Sequence, residues 1–459
     1  MTRTEQKNIW WRRASNFLQV LRLPHGRRPG EARGVPRGSA NQGGPGRTSP
    51  NAPRHTGQLD APPPTDLFAK CEAFTKPLEL QAADLYPYFL PIGESEGTEV
   101  EIHGKRLLMA GSNNYLGVTH DPRVREAAIR AIERFGSGCT GSRFLNGTLE
   151  LHEELEHRLA KFLGYESALV FTTGFQTNLG VISSLAGRGD VIFTDRENHA
   201  SIMDGCRLGF GEMRKFRHND MEDLEEQLRR ETPRRRGGWL IVVDGVFSML
   251  GDLANLPRIC ELAEEYGARV LVDDAHSIGV MGAHGRGTAE HFDVEDRVDL
   301  VLGTFSKSFG SIGGYVAGDE QIIRWVKHHG RSMIFSASLP PASCAATLAA
   351  LDIIESEPER RTVLHENAEF MRAGLHALGF DTGPSVTPVI PILIGERHAT
   401  FRFWRELYDH GVFTNPITSP AVPAGMDLIR TSVMATHTRE QLQRVLDIVA
   451  QVARKLRVA

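Results

Sequence analysis

From residue 65 onward, apolar positions fall into short unbroken runs separated by amphipathic stretches. Residues 67–85 show helical spacing, and residues 98–109 alternate like a hairpin around His103-Gly104. A helix is expected at 122–135, and glycine-rich segments lie before and after it, at 111–117 and 136–143. Helices follow at 152–163, 176–185 and 256–266. Between them, residues 168–172, 191–194, 240–243, 270–272 and 298–302 are strands of four or five apolar residues at most. Short, continuously apolar strands alternating with helices predict a mostly parallel sheet covered on both faces. In such sheets ligands sit at the carboxyl ends of the strands. After Pro340-Pro341 the pattern gives a long helix to about residue 355, a second to 378, then strands and a final helix from Arg439. The reading is therefore α/β, with a large sheet domain at 111–340 and a smaller C-terminal α+β domain at 341–459. A helix-and-hairpin segment at 65–110 leads into them.

The first residues change the picture only locally. Residues 1–60 carry eleven Lys or Arg against three acids, a net charge of +8 within a chain whose total is −4. From 24 to 64 the composition is Gly, Pro, Arg, Ser and Asn, too poor in apolar side chains to bury a core. Residues 1–64 are accordingly expected to form a disordered basic extension. Residues 9–23 (IWWRRASNFLQVLRL) mix Trp and Leu with Arg, a composition suited to peripheral contact with an anionic membrane surface, although an unstructured tail is the simpler reading. They lack the uninterrupted apolar core of a signal peptide, and no run long enough to span a bilayer exists. The acidic remainder argues against nucleic acid as a partner. Five scattered cysteines without C-x-x-C fit a reducing cytoplasm, and neither a disulfide framework nor a metal site.

Candidate chemistry lies at strand ends. Lys307 sits in Gly303-Thr304-Phe305-Ser306-Lys307-Ser308, directly after an apolar strand. A lysine held among hydroxyls and glycines can lose its proton and form a Schiff base. Asp273 ends the strand before it, and His199 follows the 191–194 strand. Thr173-Gly174-Phe175 follows another strand and opens a helix, whose free N–H groups can cradle a phosphate. Each of these alone has an ordinary structural explanation. Together they match the needs of pyridoxal phosphate: a lysine for the aldehyde, a carboxylate at the pyridine nitrogen, phosphate donors and a flat group over the ring.

The strings that carry this chemistry resemble the α-oxoamine synthases, enzymes of the aspartate-aminotransferase fold type I that use pyridoxal phosphate. They are SNNYLG (112–117), GSRFLNGT (141–148), TGFQTNLG (173–180), ENHASIMDG (197–205), FRHND (216–220), DGVFSMLGD (244–252), GTFSKS (303–308) and IFSASLPP (334–341), with VDDAHS at 272–277. The resemblance implies that Lys307 holds the cofactor and serves as base at the substrate α-carbon. It implies that Asp273 pairs with the pyridine nitrogen, that His199 stacks on the ring and that His276 bonds its phenolic oxygen. Gly174, Phe175, Thr304 and Ser306 would hold the phosphate. Ser336 would reach the phosphate of a second copy, making a homodimer with shared active sites. Asn114 and Tyr115 would line the substrate side, and Arg430 would receive the substrate carboxylate. Several members carry a further arginine about a dozen positions before that one, in an R-P-P segment; here the place falls near Thr418.

The implied reaction is a decarboxylating condensation of an amino acid with an acyl-CoA. RFLNGT and FSMLGD point to L-serine and a long-chain acyl group. Glycine with acetyl-CoA, or alanine with pimeloyl-CoA, are the sister reactions. A non-catalytic regulatory paralogue would be expected to lack Lys307, and an ordinary aminotransferase would use a 2-oxo acid instead of an acyl-CoA.

Overall fold

The computed structural model describes residues 66–458. The basic extension and its amphipathic stretch at 9–23 lie outside them. From Glu72 the chain forms one compact unit. It contains a seven-stranded sheet in the order β4-β10-β9-β8-β7-β5-β6. The strands are β4 Ser167–Phe171, β5 Val191–Asp195, β6 Glu212–Phe216, β7 Trp239–Asp244, β8 Arg269–Asp273, β9 Leu300–Thr304 and β10 Gly314–Gly318. All neighbours are parallel except β10, which runs antiparallel to both β4 and β9. Along the central strands alternate residues enter two separate cores. Phe193, Ile241, Val243, Val270, Val272 and Val301 face one side. Ile192, Leu240, Val242, Leu271, Leu300 and Leu302 face the other. Burial of both faces is why these strands read as unbroken apolar runs.

Two strands escaped the pattern. β6 (EMRKF) is an exposed edge strand with one buried side chain, and β10 (GYVAG) is too small and glycine-rich to register as an apolar run. The strand expected at 298–302 runs over Leu300–Thr304, because Val298 and Asp299 still belong to the approach to the sheet. The helix expected over 67–85 is two short helices, Ala69–Glu72 and Lys76–Ala82. Pro77, in the first turn of the second, restricts the residue before it and supplies no N–H, so the chain restarts at Thr75 rather than continuing. The helices Pro122–Phe135, Glu150–Leu163, Gly174–Leu185 and Leu256–Tyr266 agree with the reading to within two residues.

The hairpin at 98–109 pairs Glu99–Ile102 (β2) with Lys105–Met109 (β3), with His103 and Gly104 both at positive φ in the turn. Ile92–Glu96 (β1) adds a further, exposed strand. The C-terminal part holds the antiparallel sheet β11-β14-β13, formed by Val389–Gly395, Asp427–Ser432 and Asn415–Ile417. Its strand β12, Val412–Phe413, pairs in parallel with β3, so the hairpin and the C-terminal part share one sheet. No helix among the described residues is long and apolar enough to cross a membrane.

One polar clamp ties this frame to the loop after β7. His218, in the FRHND string, bridges Asp195 Oδ1 through Nδ1 at 3.1 Å and Asp252 Oδ2 through Nε2 at 3.0 Å. Its ring packs edge-on against Phe247 at 4.4 Å. Burial opposes charging of the imidazole, but the hydrogen bonds and charges of the two carboxylates prevail and raise its pKa to about 10. Because the folded pKa lies above the unfolded one, the stabilisation is complete below about pH 6.5 and is lost as pH rises through about 10. His218→Asn is expected to cost about 2 kcal/mol at pH 7, less than a fully buried pair because the imidazole keeps some solvent contact. Urea melts should show this difference from wild type shrinking between pH 8 and pH 10; a difference independent of pH would show that the imidazolium contributes nothing through its charge.

Candidate active site

The carboxyl ends of β7, β8 and β9 open into one cavity of about 320 Å³. It is lined by Gly174, Phe175, His199, Asp273, His276, Thr304, Ser306 and Lys307, eight of the residues singled out in the sequence. The register explains the convergence. Asp244 pairs with Asp273 across β7 and β8, and Asp273 pairs with Leu302 across β8 and β9, which places Lys307 just beyond the same edge.

The Lys307 Nζ has no hydrogen-bond partner among the described residues, while the Lys307 carbonyl oxygen accepts from the Gly310 N–H at 2.9 Å. Burial draws its pKa down, opposed by the charges of Asp273 and Asp244, and leaves it at about 8. A substantial unprotonated fraction near neutrality makes its Nζ a nucleophile and a base. Asp273 is itself buried. Its Oδ2 accepts from Asn178 Nδ2 at 2.6 Å and its Oδ1 from the Ala275 N–H at 3.0 Å, so its charge is met by donors on both oxygens. The same Asn178 amide donates to Ser201 Oγ at 2.9 Å, which lies 2.7 Å from His199 Nδ1. His199 caps the helix Ala200–Leu208, its Nδ1 accepting from the Ser201 N–H. That assigns the proton of the neutral ring to Nε2. Enclosure lowers the pKa of His199, with Asp273 working against this and Lys307 with it.

His276 is held by Tyr115, whose hydroxyl lies 2.7 Å from its Nδ1. Burial, reinforced by the positive charges of Lys307 and Arg430, puts its pKa well below the ordinary value, so the ring is neutral. The phosphate-type donors lie opposite. The helix Gly174–Leu185 starts at the cavity with Thr173 as its cap, and the Gly174 and Phe175 N–H groups have no acceptor among the described residues. A side chain at position 174 would put its Cβ 2.8 Å from Thr304 Cβ, so glycine alone permits this approach. The hydroxyls of Thr304 and Ser306 sit 2.9 Å apart beside it. A phosphorylated aldehyde with a basic ring nitrogen fits this donor set of N–H and hydroxyl groups, a hydrogen-bonded carboxylate and an amine lining one cavity.

Four expected residues stand outside the cavity wall. Ser336 is half-buried at the helix foot, where its Oγ accepts from Gln176 Nε2 at 3.1 Å. Tyr115 is fully buried and turned to His276. Asn114 donates to Thr119 Oγ1, and its own Oδ1 is buried without a donor. Arg430, on β14, donates from Nε to the Ser248 carbonyl oxygen at 2.6 Å and from Nη2 to Asn113 Oδ1 at 3.1 Å. Sequence reasoning missed Asn178, Ser201, Asp244 and Ser248, all of which line the cavity. Asp244 carried a usable signal, since it ends an apolar strand as Asp273 does. Its Oδ2 accepts the His199 N–H at 2.7 Å, and burial, then the nearby Asp273, raises its pKa well above the carboxylate range.

The chain belongs to the family described as aminotransferase class I and II, whose profile matches residues 106–449. Within it the chain falls among the α-oxoamine synthases. It is 51% identical over 380 residues to a serine palmitoyltransferase of Sphingobacterium spiritivorum, covering 83% of this chain and 95% of that protein. An 8-amino-7-oxononanoate synthase of Thermoanaerobacter pseudethanolicus is 43% identical over 380 residues, covering 83% of this chain and 96% of the relative. Among solved structures, a serine palmitoyltransferase with pyridoxal phosphate superposes with a TM-score of 0.83 at 38% identity, over 86% of this chain and all of that one.

The Lys307 pKa makes a kinetic prediction. The rate at which apoprotein captures pyridoxal phosphate, used as a probe aldehyde and followed by absorbance, should rise close to tenfold per unit from pH 6 and level off above about 8. A flat profile, or one still climbing at pH 10, would show that the cavity does not lower the lysine's pKa.

Proposed function

We propose that this chain condenses L-serine with a long-chain acyl-CoA, releasing coenzyme A and CO₂ and giving a 3-ketosphinganine-type amino ketone. The observation that carries the reading is the meeting of Lys307, Asp273, His199 and His276 in one cavity, in a chain 51% identical to a serine palmitoyltransferase. The cofactor is pyridoxal phosphate, and the donor set described above fits it. When bound, it withdraws electrons from the substrate α-carbon, so that a proton, and later a carboxylate, can leave as cations or CO₂ respectively without a free carbanion.

This chain's residues supply the rest. Lys307 Nζ would hold the cofactor's aldehyde group, and its free amine would serve as the base that takes the substrate α-proton. Asp273, both of whose oxygens are held by Asn178 and the Ala275 N–H, would face the ring nitrogen and favour its protonated form. Neutral His276, its Nδ1 engaged by Tyr115, presents Nε2 to the phenolic oxygen. His199, fixed by Asp244 and Ser201, would stack on the ring and shield one face from water. Gly174, Phe175, Thr304 and Ser306 anchor the phosphate, and Arg430 grips the substrate carboxylate. The orientation Arg430 imposes decides when the bond to that carboxylate is aligned for cleavage. Attack of the α-carbon on the thioester carbonyl would give a tetrahedral oxyanion that an imidazole N–H can meet, and its collapse to the ketone would expel coenzyme A as the thiolate.

The reading includes a homodimer. Phe335, beside Ser336, and Leu145, in the 141–148 string, are 74% and 79% exposed, which supports cover by a second copy. It also includes contact of residues 9–23 with an anionic bilayer, which a long-chain acyl-CoA substrate would make useful. Light scattering of the full-length protein should give twice the chain mass. Co-sedimentation with anionic liposomes should exceed that of a chain starting at Thr65; equal pelleting removes the membrane contact from the reading.

Incubating the holoenzyme with serine, glycine or alanine against short and long acyl-CoAs, with thiol release and product mass as readouts, tests the reaction. Serine with palmitoyl-CoA should be the fastest pair, and Lys307→Ala should lower turnover at least about 10³-fold. Release of coenzyme A from another pair but not from this one would assign the chain to a sister reaction.

A further inference from the structure

Asn178 sits one turn into the helix Gly174–Leu185, is 1% exposed and lines the cavity. Its Nδ2 lies 2.6 Å from Asp273 Oδ2 and 2.9 Å from Ser201 Oγ. An amide nitrogen carries two hydrogens, and these two contacts use both. The opposite placement of the amide would set its oxygen against the Asp273 carboxyl oxygen, so the nitrogen belongs on that side. This orientation leaves Asn178 Oδ1 buried without a donor. Native interiors rarely leave an acceptor in that state, and the orphan marks an orientation imposed by the nitrogen end.

Direction then follows along the chain of bonds. Ser201 Oγ accepts from Asn178, so its single hydrogen is left for another acceptor, and His199 Nδ1 lies 2.7 Å away. That nitrogen also takes the Ser201 backbone N–H at 3.2 Å. With two donors converging on it, Nδ1 carries no hydrogen in the neutral ring, and the ring proton is held on Nε2. Other groups bear on the same residue. Asp244 accepts its backbone N–H at 2.7 Å, Phe175 stands edge-on at 6.4 Å, and the charges of Asp273 and Lys307 oppose each other there. Among the described residues, only Ser201 bonds Nδ1.

We infer that Asn178 is a positioning residue for His199: acting through the Ser201 hydroxyl, it fixes the imidazole in the tautomer whose proton is on Nε2. His199 then enters the site as a hydrogen-bond donor rather than as a base, which leaves proton abstraction to Lys307. The inference rests on the roles proposed above for these two residues, but not on which amino acid or acyl donor is used.

The test is a double-mutant cycle on the full-length holoenzyme. Hydrogen exchange at the imidazole Cε1 of His199, followed by mass spectrometry, gives the titration midpoint of that ring alone. In the wild type, a proton on Nδ1 must find its acceptor in a Ser201 oxygen already engaged by Asn178. Asn178→Leu, similar in volume and without a side-chain N–H, releases that oxygen. It should raise the midpoint by about half a pH unit or more, close to threefold in proton affinity. In a Ser201→Ala background the same substitution should move it by less than about 0.2 unit, because no hydroxyl remains to be directed. Asn178→Ala repeats the cycle if the leucine variant loses thermal stability. An unchanged midpoint in Asn178→Leu, or an equal shift in both backgrounds, would overturn the inference; the equal shift would assign the effect to Asp273 instead. If the wild type releases coenzyme A from no amino acid and acyl-CoA pair, the proposed reaction falls, while the exchange cycle still decides the role of Asn178.

Discussion

The hydrogen-bond register of three parallel strands is the constraint on which the site depends. β7, β8 and β9 end within a residue or two of one another, so Asp244, Asp273 and the turn carrying Lys307 emerge at one edge. None of these groups touches another through sequence neighbours. A slip of one residue in β8 would send Asp273 to the opposite face and put Val272 or Asp274 in its place. The two cores protect that register, because every central strand has large apolar side chains committed to both faces. Packing far from the cavity therefore holds the chemistry in place.

Gathering charges at that edge is costly, and the protein offsets the cost unequally. Asp273 receives two donors; Asp244 receives only one backbone N–H and is pushed toward its neutral form by burial and then by the nearby Asp273. Asn178 couples this arrangement to His199, since one amide group reaches both Asp273 and Ser201, and Ser201 in turn bonds the imidazole. The orientation of the His199 ring and the charge of Asp273 are consequently set by the same side chain. The His218 clamp extends this order outward to the loop carrying Ser248, the anchor of Arg430.

Residues at strand ends and helix starts were legible in the sequence because secondary structure alone places them. Lys307, Asp273, His199 and the Gly174-Phe175 pair all lie within five residues of an apolar run, and all line the cavity. Asn178 was not legible in that way. It lies one turn inside a helix, where an asparagine is ordinarily unremarked, and only the approach of that helix to β8 gives it a role. Tyr115 was read as a substrate-side residue from a string, whereas its buried hydroxyl is aimed at His276, 161 positions away. The strand β10 stayed hidden for a different reason: a sequence of Gly, Tyr, Val, Ala and Gly is a strand only because two neighbours pair with it on either side.

The carboxylate end shows how one interaction can serve both binding and selectivity of bond cleavage. An amino acid bound through its amine alone could rotate about the Cα–N bond, and any of three substituents could align for loss. Arg430 arrives from β14 already bonded to Ser248 and Asn113, so its orientation is settled before a substrate enters. In the proposed reaction, a carboxylate drawn to that fixed edge would leave the α-hydrogen as the group free to turn toward Lys307. The carboxylate would itself become the leaving group only after carbon–carbon bond formation had changed the geometry at the α-carbon. The order of deprotonation, acyl transfer and decarboxylation would then follow from where a buried arginine is held.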